Sequence, residues 1–371
     1  MRIGLVIYGD LKQASGGYLY DRHLVNLLRK RGHKVQIISM PWRRPIFAIF
    51  DNFSKTLLNK LKLLKVDLLL QDELNHPSLF LINPRIKKQI SYPIVSIVHM
   101  LRSRAHSEQS FHWLAQRIEA QYLKSVDGFV VNSQETGRIV NSVLLRQKPS
   151  IVAPPGGDRF RPKISEAGIR SRAQQPGPLR VLFLGNLTRN KSAHLLIEAA
   201  AELERESVFL TFAGRLDVEP DYAEYLVRLA AGLGMKDRVY FAGHLEGKML
   251  ETTIRTSQVL AIPSAYEGFG IAYLEGMGFG LPAIATRGVG AREIIQPGKN
   301  GFLIPVGDAD RLAKILKKLH RDRRLLARMS LAARRSFQSF PTWEQSMRRV
   351  EKFLTSYNES SLQLRKSRRK K

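Results

Sequence analysis

The chain has 371 residues, of which 44% are hydrophobic and none is cysteine, which excludes a disordered protein, a disulfide scaffold, a thiolate zinc site and a cysteine nucleophile. The formal net charge is +28, carried mainly by residues 1–175, with 28 basic and 12 acidic side chains, and by the six basic residues of 365–371. Such a field attracts nucleic acid, an anionic bilayer or phosphorylated substrates, and excludes none of them.

The first elements along the chain predict a β-loop-α-β unit. An apolar strand, RIGLVIYG, is followed by a loop with Gly16 and Gly17, by the amphipathic stretch YLYDRHLVNLLRKRG, and by a second strand, KVQIIS. Further buried strands are predicted at VDLLL, PIVSIVH, GFVVNS and SIVAPP. The series then restarts with RVLFLGN and continues through VFLTFAG, RVYFAGH, QVLAIPS, PAIAT and GFLIPV. Strands that are apolar throughout and alternate with amphipathic helices predict parallel sheets covered on both faces.

Two such series predict two doubly wound, Rossmann-like α/β domains. We expect the first domain at residues 1–165, a linker at 166–179, rich in Gly, Pro, Ser and charge, and the second domain at 180–340. Residues 341–371 are predicted to hold a final helix and a basic tail.

The opening apolar run is too short for a signal peptide, and no run approaches the ~20 residues of a bilayer span. A cytoplasmic location is therefore expected.

Two carboxylates, Glu267 and Glu275, lie eight positions apart in YEGFGIAYLEG, directly after the predicted strand QVLAIPS. A helix starting near Phe269 would place one carboxylate before the helix and the other in its second turn. Ligands of doubly wound domains bind where strand ends meet helix N-termini. Free N–H groups there bind phosphate or hydroxyl oxygens, and a carboxylate accepts hydrogen bonds from ribose or sugar hydroxyls. The pattern favours a site for a sugar attached to a diphosphate.

The alternative is that neither residue binds a ligand: Glu267 would stabilise the helix dipole at the N-terminus, and Glu275 would be a solvated surface residue. A dehydrogenase is weakly supported, because the glycines do not form a dinucleotide fingerprint: Tyr273 stands where the last glycine would be needed.

The wider stretch YEGFGIAYLEGMGFGLPAIAT resembles the E-x7-E signature of retaining glycosyltransferases of family 4, which have the two-domain GT-B fold. Other parts are similar in the same order: SGGYLYDRHLVNLLRKRGHKV, IVHM, VVNSQE, APPGGDRFRP, FLGNLTRNKSAHLLIEA, VGAREIIQPGKNGFLIPVGD and FPTWEQSMRRVEKFLTSY. The resemblance implies two Rossmann-like domains with a cleft between them and a C-terminal helix that crosses back to the first domain.

The resemblance also implies roles for individual residues. Glu275 would hold the ribose of the nucleotide, Glu267 would face the donor sugar, and Lys191 would neutralise the diphosphate. His99 would touch the donor sugar from across the cleft, so that Glu267 and His99 are the expected catalytic pair. The other donor-binding positions it implies are Gly16, Gly17, Asn186, Gly243, His244, Gly268, Phe269 and Gly270. Two positions depart from the family pattern: Asn186 stands where an arginine is usual, and Ser192 where a glycine is usual.

No metal and no cofactor are expected. The nine histidines show no metal-binding spacing, and the DAD at residues 308–310 precedes RLAKILKKL, where an aspartate N-cap is favoured.

The resemblance implies a retaining sugar transfer from a nucleotide-sugar to a glycan or lipid-linked acceptor. A nucleotide-sugar epimerase of the same fold remains an alternative. A nucleic-acid-binding protein is less favoured, because no recognition-helix, RNP or zinc-finger signal accompanies the charge.

The stretch RRPIFAIFDNFSKTLLNKLKLLK, residues 43–65, predicts a membrane contact. It combines aromatic and aliphatic residues with lysines, as in amphipathic helices that lie on anionic bilayers. The alternative is that its leucines and phenylalanines pack on the first sheet. We expect a mixed role, in an enzyme peripheral to the inner membrane face, with the basic tail adding to the attraction.

Overall fold

The computed structural model describes residues 1–13, 15–101, 112–160, 162–288 and 290–369, and the side chains of all of these except residues 45, 112 and 364–369. The chain forms two compact units. The first comprises Met1–Pro155 and Thr342–Lys371, and the second Gly156–Pro341.

Within the described residues, the first unit contains a sheet of six parallel strands in the order β2-β1-β3-β4-β5-β6. The strands are β1 (Arg2–Tyr8), β2 (Lys34–Met40), β3 (Leu68–Asp72), β4 (Ile94–Val98), β5 (Gly128–Val131) and β6 (Ser150–Val152). Strands β3, β4 and β5 are buried along their whole length, as their largely apolar sequences predict. The polar residues Gln71 and Asp72 at the end of β3, and Ser96 in β4, are buried with them.

Helices join these strands. They are α1 (Gly16–Lys30), α2 (Pro45–Ala48), α3 (Lys55–Lys62), α4 (His76–Leu79), α5 (Ile82–Lys87), α6 (His112–Ser125) and α7 (Gln134–Val143), with 3₁₀ turns at Ile49–Phe53 and Glu73–Asn75. Serine side chains cap α1, α3 and α7 by accepting from the backbone N–H three residues on, which satisfies one of the free donors of a helix start.

The second unit repeats this architecture with the strand order β12-β11-β10-β7-β8-β9, again parallel throughout the described residues. Its strands are β7 (Leu179–Leu184), β8 (Val208–Ala213), β9 (Val239–Gly243), β10 (Val259–Ile262), β11 (Ala283–Thr286) and β12 (Gly301–Ile304). Both sheets therefore confirm the predicted doubly wound α/β fold.

The helices of the second unit are α8 (Glu166–Gln174), α9 (Ala193–Ala201), α10 (Pro220–Gly232), α11 (Gly247–Thr256), α12 (Ile271–Gly278), α13 (Ala291–Ile294), α14 (Ala309–Arg321) and α15 (Arg323–Ser339), with 3₁₀ turns at Arg189–Lys191 and Lys236–Arg238. The DAD sequence is a helix cap, as predicted: Asp308 accepts from the backbone N–H of Arg311 at 2.8 Å.

The segment 166–179, predicted as a linker, differs from that expectation. It contains α8 and lies inside the second unit. Ser165 caps the helix, and the side chains of Ile169 and Arg172 are buried. The guanidinium of Arg172 donates to the backbone carbonyls of Phe279 and Gly280. The buried face of this helix consists of Ile169, Arg172 and Ala173, so it has almost no apolar periodicity from which a helix could be predicted.

The last helix, α16 (Trp343–Arg369), groups with the first unit. The Trp343 ring stacks on His23 with 4.1 Å between centroids, and Glu351 lies 3.1 Å from Nε2 of His33.

Across the described part of the chain, no helix combines the length and the apolar character that a membrane span requires.

Candidate functional site

The YEGFG stretch forms the loop between β10 and α12, at the carboxyl end of the second sheet. The helix begins at Ile271, two residues later than predicted, because Gly270 adopts a left-handed backbone with φ +92°. A Cβ atom at Gly270 would lie 2.3 Å from the Tyr273 ring, so both the backbone angle and the space require glycine. The N–H groups of residues 268–270 therefore stand at a helix start, as the sequence predicted.

Lys191 and Glu267, both predicted site residues, meet in the structure. The Lys191 Nζ donates to Oε2 of Glu267, and the Ser264 hydroxyl lies 3.5 Å from the same oxygen. Backbone contacts fix the two loops: the Ala265 N–H donates to the Asn190 carbonyl at 2.7 Å. The pair thus places one cation and one anion side by side where a phosphorylated sugar was predicted to bind.

Ser192 follows Lys191 and has φ +48°, the single positive φ among the non-glycine residues that the structure describes. A left-handed backbone costs an ordinary residue roughly 1 kcal/mol, which is why glycine suits this position. Ser192 therefore adopts the left-handed conformation that the family's glycine would take, at a cost in conformational free energy.

The glycines around this loop allow backbone to pack on backbone. A Cβ atom at Gly290 would lie 2.1 Å from Cα of Phe269, and one at Gly214 would lie 1.8 Å from the carbonyl oxygen of Gly185. The first contact presses the segment after β11 against the YEGFG loop. The second joins the ends of β7 and β8, and the Ala265–Asn190 hydrogen bond links the two pairs, so that four strand ends form one surface.

Glu275 lies in α12 and is buried, with 6% of the residue exposed. Its Oε1 has no hydrogen-bond partner among the described residues, and the closest cation is Nη1 of Arg159 at 3.8 Å. Burial raises the pKa of the Glu275 carboxyl to about 7, although the charge of Arg159 lowers it. A buried carboxylate oxygen without a donor is costly, and it is the arrangement expected where a ligand hydroxyl supplies the missing hydrogen bond.

Asn186, Gly243 and His244 lie at the ends of the neighbouring strands. Asn186 accepts a long hydrogen bond from the Arg215 N–H at 3.4 Å, and the carbonyl of Gly243 accepts from the Gly214 N–H at 2.8 Å. His244 is exposed and lies 3.1 Å from Glu246. Because the strands are parallel, these residues share the edge of the sheet that carries Lys191.

The predicted site residues of the first unit also come together. Gly16 and Gly17 form the first turn of α1, and a Cβ atom at Gly17 would lie 3.1 Å from the His99 ring. The Nε2 atom of His99 lies 3.2 Å from Oδ1 of Asp21, which is completely buried. Burial lowers the pKa of His99, but the charges of Asp21 and of neighbouring carboxylates outweigh this effect and raise the pKa to about 9.

Two buried groups of the described residues bring carboxylates and a histidine within 4.8 Å of one another: Asp21 with Asp72 and His99, and Glu73 with His76 and Glu119. The sequence spacing does not reveal either group, since its members come from different elements. In the first group a hydrogen bond joins Nε2 of His99 and Oδ1 of Asp21. The absence of a metal stays a prediction.

Comparison with known families assigns this second unit. Residues 166–336 match the model of the family described as glycosyl transferases group 1. The second unit is a group 1 glycosyl transferase domain. The resemblance seen in the sequence is thus confirmed at the level of the group and of the GT-B fold, whereas the narrower assignment to family 4 stays a prediction.

Curated relatives match part of the chain. The D-inositol 3-phosphate glycosyltransferase of Streptomyces avermitilis is 29% identical over 264 residues, which are 67% of this chain and 57% of the relative. The putative glycosyltransferase EpsD of Bacillus subtilis is 34% identical over 188 residues, 49% of this chain and 48% of the relative. The chain therefore spans about half the length of these relatives.

Solved structures show the same fold over almost the whole chain. Sucrose-phosphate synthase from Thermosynechococcus elongatus superposes with a TM-score of 0.81 at 19% identity, covering 97% of this chain and all of that one. The Anabaena protein HepE in complex with UDP-glucose gives a TM-score of 0.74 at 20% identity, covering 96% of this chain and all of that one.

Sequence reasoning did not single out Arg159 and Asp21, which contact two of the predicted site residues. Arg159 lies within APPGGDRFRP and Asp21 within YLYDRH, both of which supported the family resemblance. Asp21 lies at helical spacing with the buried Tyr18, Leu24 and Val25. A charged residue on the apolar face of an amphipathic helix was therefore the available signal, since such a residue is buried only when a partner is present.

Proposed function

We propose that the protein is a retaining glycosyltransferase that moves a sugar from a nucleotide-sugar to a membrane-proximal acceptor. The observation that carries this proposal is the pairing of Lys191 with Glu267 beside the helix start at Gly270, together with the unsatisfied buried oxygen of Glu275. These groups offer a cation and backbone N–H donors for a diphosphate, and carboxylates for hydroxyl groups. HepE, which shares the fold, has been solved with UDP-glucose.

In the proposed reaction the bond between the anomeric carbon and the diphosphate oxygen breaks, and the acceptor oxygen forms the new bond from the same face. The leaving diphosphate takes up the acceptor's proton. Lys191 balances the charge that develops on the diphosphate, which is the largest contribution that a preorganised site makes to such a step. Glu267 positions the sugar and Glu275 the ribose.

The names of the relatives favour transfer over epimerisation, since those cited above are glycosyltransferases. A screen separates the two possibilities. Purified protein is first tested by thermal shift against UDP-, GDP- and other nucleotide-sugars, and the stabilising donor is then incubated with extracted membrane lipid and analysed by NMR.

We expect a new glycosidic linkage with the donor's anomeric configuration and release of the nucleoside diphosphate. An inverted linkage would contradict the retaining mechanism, and an altered free nucleotide-sugar without acceptor would establish an epimerase instead.

The acceptor side of the proposal rests on an apolar surface of the first unit, here named the 42–65 surface. Six large side chains on it are between 48% and 78% exposed: Trp42, Ile46, Phe47, Phe50, Phe53 and Leu63. The sequence of residues 43–65 was compared with an amphipathic helix, and the chain forms α2, a 3₁₀ turn and α3 here. Pro45 is the first residue of α2, and Ser54 separates the 3₁₀ turn from α3 because it is the N-cap of α3.

The two expected roles of this segment are divided between its residue types. Leu61 is buried, and Leu57 and Leu58 pack against the core of the first unit, whereas the phenylalanines face outward. The exposed side chains are interleaved with basic ones, and the exposed cations are Arg43, Arg44, Lys55, Lys60 and Lys65. Aromatic side chains next to cations suit the interface of an anionic bilayer, where each cation contributes about 1 kcal/mol. The basic residues of 365–371 were predicted to add to this attraction, but their side chains lie outside the described residues.

Flotation with liposomes tests the 42–65 surface. Wild-type protein is expected to float with anionic vesicles, less at higher salt, and little with neutral ones. The double variant Phe47→Ser, Phe50→Ser should lose most of this binding, because two side chains that would enter the interface are removed. The matched control is Leu145→Ser, which removes another apolar side chain of the same unit that is 91% exposed. Equal flotation of both variants, or none of the wild type, would contradict the membrane contact.

A further inference from the structure

The surroundings of His99 are strongly anionic. Asp21 on α1 is completely buried and contacts the ring through Oδ1, while its Oδ2 has no hydrogen-bond partner among the described residues. Asp72, at the end of β3, is also buried, accepts from the Leu74 N–H through Oδ1, and leaves its Oδ2 without a partner. A buried charge is stable only with a compensating charge, and the imidazole supplies one here.

The other groups that face the ring do not oppose this. Glu73 follows Asp72 and adds a further negative charge, although it lies 3.0 Å from Nδ1 of His76. Tyr20 presents its ring edge to His99 at 5.1 Å and is uncharged, since burial raises its pKa well above the ordinary value. The Asn132 side chain donates to the His99 carbonyl at 2.6 Å and thereby fixes the backbone, not the ring charge.

We propose that Asp21, supported by Asp72, is a positioning residue that holds His99 as a doubly protonated imidazolium, so that His99 meets the donor as a cation and hydrogen-bond donor rather than as a base. Because Nε2 is directed to Asp21, the proton on Nδ1 is the one available to a ligand. This inference rests on the proposed function, since it assigns the charge of a residue that the family resemblance places at the donor sugar.

The charges of the group agree with this assignment. Burial and the negative charge of Asp21 raise the pKa of the Asp72 carboxyl, so that Asp72 gives up its proton late. Burial lowers the pKa of His99, but the negative charges of Asp21, Asp72 and Glu73 raise it to about 9. An imidazolium cannot accept a proton from the acceptor hydroxyl, which agrees with a reaction in which the leaving diphosphate takes that proton.

The first test is the titration of His99 in the full-length protein by long-range ¹H–¹⁵N NMR, with the resonance assigned from the spectrum of His99→Gln. In the wild type we expect an imidazolium at pH 8. In Asp21→Asn, which keeps the size of the side chain, the midpoint should fall to near or below the ordinary ~6.5, because burial without a countercharge favours the neutral ring. Asp72→Asn should lower it less.

The matched control is Glu351→Gln, which removes the carboxylate from a histidine pair of this unit that does not face His99, His33 with Glu351 at 3.1 Å. It should leave the His99 titration unchanged. A neutral His99 in wild-type protein at pH 8 would overturn the proposal without any variant, and so would an unshifted midpoint in Asp21→Asn. If Asp21→Asn does not fold, the wild-type titration and Asp72→Asn decide.

Activity gives the second readout. With the donor identified by the screen, kcat of the wild type should change little between pH 6 and pH 8, whereas that of Asp21→Asn should fall at least tenfold over the same range. A merely structural aspartate would lower activity equally at both pH values. If no nucleotide-sugar is turned over by the wild type, the proposed function fails, but the NMR titration still decides the role of Asp21.

Discussion

Replacing Lys191 by alanine should lower kcat by roughly two to three orders of magnitude, the usual cost of removing one preorganised group that stabilises developing negative charge. In the structure Lys191 is paired with Glu267 and both side chains are partly exposed. Its substitution leaves Glu267 near Ser264 and accessible to water, so the free energy of unfolding should fall by about 1 kcal/mol or less. The measurements are steady-state turnover of the nucleotide-sugar and thermal unfolding without ligand.

Lys314→Ala is the control, since Lys314 is an exposed lysine on α14 of the same unit. It should change neither quantity. A large loss of melting temperature in Lys191→Ala, with turnover retained by the folded fraction, would show that this lysine serves the fold and not the diphosphate.

Most of the fold could be predicted because parallel strands leave a simple pattern. The buried strands, such as β5 and β10, carry no polar side chain and are separated by amphipathic helices. The elements that were missed are those whose stability comes from a few particular contacts. Helix α8 depends on the buried guanidinium of Arg172, and residues 45–62 are divided by a proline and a serine cap. Patterns of hydrophobicity contain neither kind of information.

The site shows the same division. The meeting of Lys191 with Glu267 could be expected, since both belong to loops that follow neighbouring strands of one sheet. The contacts of Arg159 with Glu275 and of Asp21 with His99 join residues more than 70 positions apart, and no spacing rule relates them. For Asp21, the sequence reveals only that a charged residue lies among the apolar positions of a helix, and not which residue it contacts.

Glu275→Gln should weaken the binding of the nucleoside diphosphate while making the ligand-free protein more stable at pH 8. The pKa of this carboxyl is raised to about 7 in the folded protein from 4.5, because the group is buried. The folded state therefore binds more protons than the unfolded state between these values, and its stability falls as the pH rises from about 4.5 to about 7. Glutamine does not titrate, so the variant should escape this loss, which amounts to at most about 3 kcal/mol.

The nucleotide affinity should move in the opposite direction. A ribose hydroxyl that donates to a carboxylate loses about 1.5–3 kcal/mol when the acceptor becomes an amide, so Kd should rise by about one to two orders of magnitude. Arg159 is partly exposed and remains solvated in the variant. Calorimetric titration with the nucleoside diphosphate and thermal unfolding at pH 5 and pH 8 measure both effects, with the exposed Glu206→Gln as control. A residue kept at a cost to stability because it binds ligand must show both, whereas a gain in stability with unchanged affinity would remove Glu275 from the donor site.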